Sequence, residues 1–124
     1  MILVDTSVWV DFFNQHSKAA QLGSLLKTKK VKSHPWIIGE LSLGNYGGSR
    51  PQVFFDLSNI KYLPVLDPFE LIHFVDQYRL YGQGLSFIDV HLLCSSKLEN
   101  IPIWTHDKAL KKAAKKFECE YVPE

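Results

Sequence analysis

The stretch Met1-Ile2-Leu3-Val4-Asp5-Thr6-Ser7-Val8-Trp9 decides the fold. An apolar run ends in an acid and two hydroxyl residues, the pattern of a buried strand meeting a helix N-terminus. Ile101-Pro102-Ile103-Trp104-Thr105-His106-Asp107 closes in the same way near the other end of the chain. In an open parallel sheet, ligands bind outside the carboxyl ends of the strands, so Asp5 and Asp107 can be neighbours despite their separation in sequence.

Between these two stretches, strand and helix patterns alternate. Val8 to Phe13 and Ala19 to Leu26 read as short helices, and Val31 to His34 as a short strand. Pro35 suits the first turn of a helix whose interior holds Glu40, because its missing N–H is not needed there. Gly44 to Pro51 is the most loop-like segment, with turn chemistry accounting for Gly47 and Gly48. Val53 to Ile60 resumes a helical pattern before a short strand at Tyr62 to Leu66. Pro68 opens another helix, expected to run to Gly82, and Ser86 opens one over Phe87 to Leu98 with Ile88, Leu92 and Leu93 buried. A lysine-rich helix and a last short strand at Glu120 to Val122 complete the chain. The alternation predicts an α/β/α sandwich with a mainly parallel central sheet.

Composition agrees with that class. At 124 residues the chain is expected to be one domain, residues 1–124, large enough for a real core. An apolar share of 46% against 22% charged residues excludes the disordered class. Cys94 and Cys119 have no zinc spacing and are expected to be reduced. No apolar run reaches the roughly 18 residues of a membrane span and no basic flank precedes Ile2, so a cytoplasmic protein with no membrane partner is expected. The net charge of +1 conceals two basic clusters, Lys27, Lys29, Lys30 and Lys32, and Lys108, Lys111, Lys112, Lys115 and Lys116. The second has Ala109, Leu110, Ala113, Ala114 and Phe117 on its apolar side, so its bland reading is a solvated helix face.

Four acids, Asp5, Glu40, Asp89 and Asp107, fall where one site could gather them. Each has a structural alternative: Asp5 and Asp107 as helix N-caps, and Asp89 as the acid of a capping box with Ser86. Glu40, inside a helix, cannot be a cap. Hard divalent cations prefer oxygen ligands, and three or four carboxylates can hold one or two ions. Two ions roughly 4 Å apart can activate a water and steady the leaving oxygen of a phosphodiester displacement, with no covalent nucleophile from the protein.

Leu3-Val4-Asp5-Thr6-Ser7-Val8-Trp9, Gly39-Glu40-Leu41-Ser42-Leu43-Gly44, Phe87-Ile88-Asp89-Val90-His91-Leu92-Leu93 and Trp104-Thr105-His106-Asp107-Lys108 together resemble the PIN-domain ribonucleases, and more closely the VapC toxins of bacterial toxin–antitoxin pairs. The resemblance runs from Met1 to about Phe117. It implies a PIN-like fold and an endoribonuclease that cleaves RNA with Mg²⁺ or Mn²⁺. On that resemblance Asp5 and Asp89 are the leading metal ligands, Glu40 a ligand or water-positioning base, and Asp107 a ligand for a weaker second ion. Thr6 and Thr105 match the supporting hydroxyl residues, and Lys108 becomes a phosphate contact. It further implies a homodimer and a cognate VapB-type antitoxin. His106 stands where many relatives carry Arg, which bears on affinity for RNA.

Two other classes remain open at this point. A phosphoacceptor signalling domain would use Asp56 as acceptor, Asp5 for metal, and Thr105 and Lys108 as switch residues, but Asp5 lacks an adjacent acid and Glu40 and Asp89 would be idle. A catalytically silent RNA- or protein-binding PIN module would keep the fold alone. His34 and His91 lack the paired spacing of a zinc site and receive no role. Trp9, Phe12, Phe13, Trp36, Phe54, Phe55 and Phe74 read as core more than surface, although adjacent rings on a helix cannot all point inward.

Overall fold

The structure, a computed structural model, describes residues 1–46 and 50–124. Four short strands, β1 (Ile2–Val4), β2 (Val31–Ser33), β3 (Lys61–Tyr62) and β4 (Ile103–Trp104), form one sheet in the order β3-β2-β1-β4. All three pairings are parallel: Ile2 faces Val31, Leu3 faces Ile103 and Lys32 faces Lys61. Helices α1 (Thr6–Phe13), α2 (Gln21–Lys27), α3 (Pro35–Ser42), α4 (Arg50–Ser58), α5 (Pro68–Tyr78), α6 (Phe87–Glu99) and α7 (Lys108–Lys116) supply the crossovers. This is the expected mainly parallel α/β/α arrangement.

Strand order decides where a ligand binds. From β1 the chain moves outward to β2 and β3, then returns to place β4 on the opposite side of β1. The direction of winding therefore reverses between β1 and β4, and the crevice at their carboxyl ends is the usual ligand position of such a sheet. Asp5 follows β1 and Thr105 follows β4, and the Asp5 N–H donates to the Trp104 carbonyl at 2.9 Å. The backbone thus fixes both residues at the rim of this crevice.

Beneath the rim, Leu3, Val4, Val8, Leu22, Ile37, Leu41, Leu71, Leu92 and Ile103 are fully buried. In α7, Leu110, Ala113 and Ala114 are buried while all five lysines are exposed, so the apolar stripe read from the sequence is the packed face. Cys94 and Cys119 are free thiols. Among the described residues no helix is long and apolar enough to cross a membrane.

Several local expectations require correction: the strand expected over Tyr62 to Leu66 is Lys61–Tyr62 alone, Ile88 is only partly buried, and three further elements end or divide differently. The final strand reduces to a single parallel bridge, Ile103 to Glu120, because Pro123 follows closely and has no N–H to extend a ladder. Helix α5 ends at Tyr78 and not at Gly82. Arg79 takes the left-handed conformation at φ 54°, and the Leu80 N–H closes back on the Val75 carbonyl at 3.0 Å. Burial of Leu80 accompanies this stop, so a hydrophobic contact sets the helix end that glycine was expected to set. The helix expected over Ala19 to Leu26 is split into a 3₁₀ turn, Ser17–Ala19, and α2, with His16 Nδ1 accepting the Lys18 N–H at 3.3 Å. The expected turn at Gly47 and Gly48 lies outside the described residues.

Candidate active site

Asp5 occupies the N-cap position of α1 but caps nothing with its side chain. It is 6% exposed, and its Oδ2 accepts from Ser7 Oγ and Thr105 Oγ1, both at 2.8 Å. Oδ1 has no hydrogen-bond donor among the described residues. A carboxylate this buried, half satisfied and not serving as a cap, is poorly explained by helix capping alone.

Glu40 projects from α3, and its Oε1 accepts from Thr6 Oγ1 at 2.7 Å. Burial, followed by repulsion from Asp5 and Asp89, raises its pKa above the ordinary glutamate value despite the Thr6 bond. Asp89 sits in the first turn of α6. Its Oδ2 accepts the Ser86 N–H at 3.0 Å, and the Asp89 N–H donates to Ser86 Oγ at 3.1 Å, completing the capping box. Burial raises its pKa too, with Asp5 and Asp107 adding repulsion against the Ser86 bonds. Asp107 is exposed and caps α7, accepting the Leu110 N–H at 2.9 Å on Oδ2. Asp89 and Asp107 therefore each use one carboxylate oxygen structurally and keep the other.

Thr105 links two of the acids. It donates to Asp5 and accepts the Asp107 N–H at 3.0 Å, while itself being buried. Ser7 completes this support and was not singled out from the sequence, although the Asp5-Thr6-Ser7 run holds the signal. Its Oγ donates to Asp5 and accepts the His106 N–H at 2.9 Å. The His106 ring is engaged by Asp11, Nδ1 to Oδ2 at 2.5 Å, with Lys18 3.6 Å from the same oxygen. Burial pushes Asp11 up, but the bond to His106 and the positive charge of Lys18 outweigh it and leave the acid below its usual range.

The acids face one another electrostatically. Yet among the described residues no three His, Cys, Asp or Glu side chains are gathered closely enough to hold an ion as they stand. In donor chemistry the acids fit a hard divalent cation: oxygen ligands only, with one oxygen uncommitted on Asp5, Asp89 and Asp107.

His34 and His91 were given no role, and the structure makes them a buried pair beside this site. His34 caps α3, its Nδ1 accepting the Trp36 N–H at 3.1 Å, while His91 Nε2 accepts the Leu66 N–H at 2.9 Å. Their ring centroids are 4.3 Å apart. His34 Nε2 has no partner within hydrogen-bond geometry, although the nearby Pro64 carbonyl acts on the ring electrostatically. Burial, with His91 alongside, pushes the His34 pKa down to about 4. The unfolded ring takes up its proton near pH 6.5, so the folded state is progressively penalised as pH falls from there towards 4. A His34→Asn variant keeps a capping acceptor without a titrating ring. Its melting temperature should fall less steeply than the parent's between pH 7 and pH 4, as thermal unfolding across that range will show.

The fold and the crevice define a class. The chain belongs to the PIN domain family, whose sequence profile matches residues 2–116. Within it, the chain is 40% identical over 116 residues to the protein named Ribonuclease VapC32 in two strains of Mycobacterium tuberculosis, CDC 1551 and H37Rv. The match covers 91% of this chain and 90% of each relative. Among solved structures, the crystal structure of PAE2754 from Pyrobaculum aerophilum shares the fold, with a TM-score of 0.63 at 18% identity, covering 90% of this chain and 82% of that one. Asp56 lies exposed within α4, bonded to Gln52 and not at a strand end, which removes the basis of a phosphoacceptor reading.

Proposed function

We propose that this chain is a VapC-like endoribonuclease toxin that hydrolyses RNA phosphodiester bonds with Mg²⁺ or Mn²⁺ held by Asp5, Glu40, Asp89 and Asp107. The observation that carries the reading is the buried Asp5 carboxylate, fixed by Ser7 and Thr105 and left with an uncommitted oxygen at the point where the sheet reverses its winding. A divalent cation bound there would ease deprotonation of water and offset charge on the phosphate.

The chain's own groups have separate tasks. Thr6 binds Oε1 of Glu40 and orients it, so the carboxylate can act beside the ion as a ligand or as the group that positions the attacking water and accepts its proton. The water oxygen bonds to phosphorus as the P–O bond to the leaving sugar breaks, and that oxygen takes up a proton. Asp89 and Asp107 are set in place by the helix starts they cap. Lys108 opens α7, and none of the five lysines of that helix is ion-paired among the described residues, leaving them for RNA phosphates. A VapB-type antitoxin that covers the acids, a homodimer and a cytoplasmic setting belong to the same reading.

Incubation of total RNA with the purified protein in Mg²⁺, Mn²⁺ or EDTA tests it. Cleavage at a few discrete sites that EDTA abolishes is the expected result, and intact RNA under all three conditions would refute the assignment. Thr105→Val should weaken metal binding roughly 10- to 100-fold, the usual effect of losing a group that orients a ligand. The shift is readable as a higher Mn²⁺ concentration needed to raise the melting temperature.

A further inference from the structure

A shallow recess of about 390 Å³ lies against Glu40 and is lined also by Pro35, Trp36, Gly39, Leu43 and Ile88. Glu40 is its only charged member, and Ile88 precedes Asp89, so the recess runs between the two helices that carry these acids. Its wall is apolar and open. Trp36 is 42% exposed and Leu43 89% exposed. A Cβ at Gly39 would meet no atom within 4 Å, so the helix surface there is bare.

Trp36 is also firmly placed. Its backbone N–H donates to His34 Nδ1 at 3.1 Å, which fixes the chain at this helix start, and its ring lies 5.8 Å, centroid to centroid, from the buried His91 ring. Five other rings are exposed among the described residues, Phe55, Tyr62, Phe69, Tyr81 and Phe87, and none of them lines this recess with Glu40, although Phe87 directly precedes Ile88. An indole set beside a buried ring and open to water on its other side is a stacking platform that accepts any base with a free face. A base inside a duplex has no such face.

We infer that Trp36, with Gly39 and Ile88 beside it, is a subsite that stacks an unpaired nucleobase of the RNA whose phosphate lies at the acids. The inference rests on the ribonuclease reading and adds to it the residue that holds a base next to the phosphate to be cut. Trp36 acts as a specificity-determining residue and takes no part in the bond-breaking step.

The three tryptophans give a direct readout, because Trp9 and Trp104 are each only 1% exposed while Trp36 is open. Single-stranded RNA added to the cleavage-deficient Asp89→Asn protein should quench the accessible tryptophan emission, and duplex RNA of the same sequence should not. In the otherwise native protein, Trp36→Ala should raise KM for single-stranded RNA roughly 5- to 100-fold with little change in kcat, and Trp36→Phe should restore most of the loss. Unchanged emission and an unchanged KM in an active enzyme would overturn the subsite while leaving the ribonuclease reading intact. A parent that cuts no RNA yet is quenched by it would keep the subsite and remove the nuclease. Emission that follows protein dilution and ignores RNA would overturn the subsite in favour of a contact between copies of the chain.

Discussion

An Asp5→Asn variant is expected to lose RNA cleavage by on the order of 10³-fold while keeping its fold. Asparagine preserves an oxygen that can accept from Ser7 and Thr105, so the hydrogen bonds that position residue 5 survive. What is lost is the negative charge, and a cation interaction of several kcal/mol at about 1.4 kcal/mol per tenfold in rate gives that magnitude. Removing one of four mutually repelling carboxylates from a metal-free site should leave the melting temperature unchanged or slightly higher. Turnover and thermal unfolding measured on the same preparation separate the two effects. Parental turnover would exclude Asp5 from the site, whereas a collapse in melting temperature would make its role structural.

Leu3→Ala is expected to do the reverse. Leu3 is fully buried in the strand that pairs with β2 on one side and β4 on the other. Truncating a buried leucine costs about 2–5 kcal/mol, a large share of the ~5–15 kcal/mol that holds a domain together. For a chain of this size that lowers the melting temperature by roughly 8–20 °C. Cleavage measured well below the new midpoint should be reduced far less than in Asp5→Asn, because no group in the crevice has been altered. A shift of only a degree or two would show that β1 is not the central strand of the packed sheet.

Those two residues were legible in the sequence because both signals are local. An apolar run ending in Asp5-Thr6-Ser7 specifies strand, acid and helix start within nine residues, and Pro35, Ser86 and Asp89 mark helix starts through their own chemistry. Asp107 was legible as a cap for the same reason, and it does cap α7. What the sequence concealed depends on contacts between distant segments. The Thr6 to Glu40 bond spans 34 positions and the Thr105 to Asp5 bond spans 100, so neither has a signature in either segment alone. The His34 and His91 pair exists only once α3 and α6 pack together, and lone histidines of unremarkable spacing gave no notice of it. Arg79 ends α5 because burying Leu80 outweighs the steric cost of a left-handed residue, a balance that propensity cannot supply. Trp36 read as core because tryptophan usually is, whereas its position beside Glu40 leaves it at the surface.

The proposed site is a set of four carboxylates sharing a divalent cation. Its most direct measurement is anomalous diffraction at the manganese edge from crystals of the protein soaked in Mn²⁺. The predicted result is a peak among the carboxylates of Asp5, Glu40 and Asp89, absent from Asp5→Asn crystals treated identically. A peak elsewhere on the surface, or none at millimolar Mn²⁺, would contradict it.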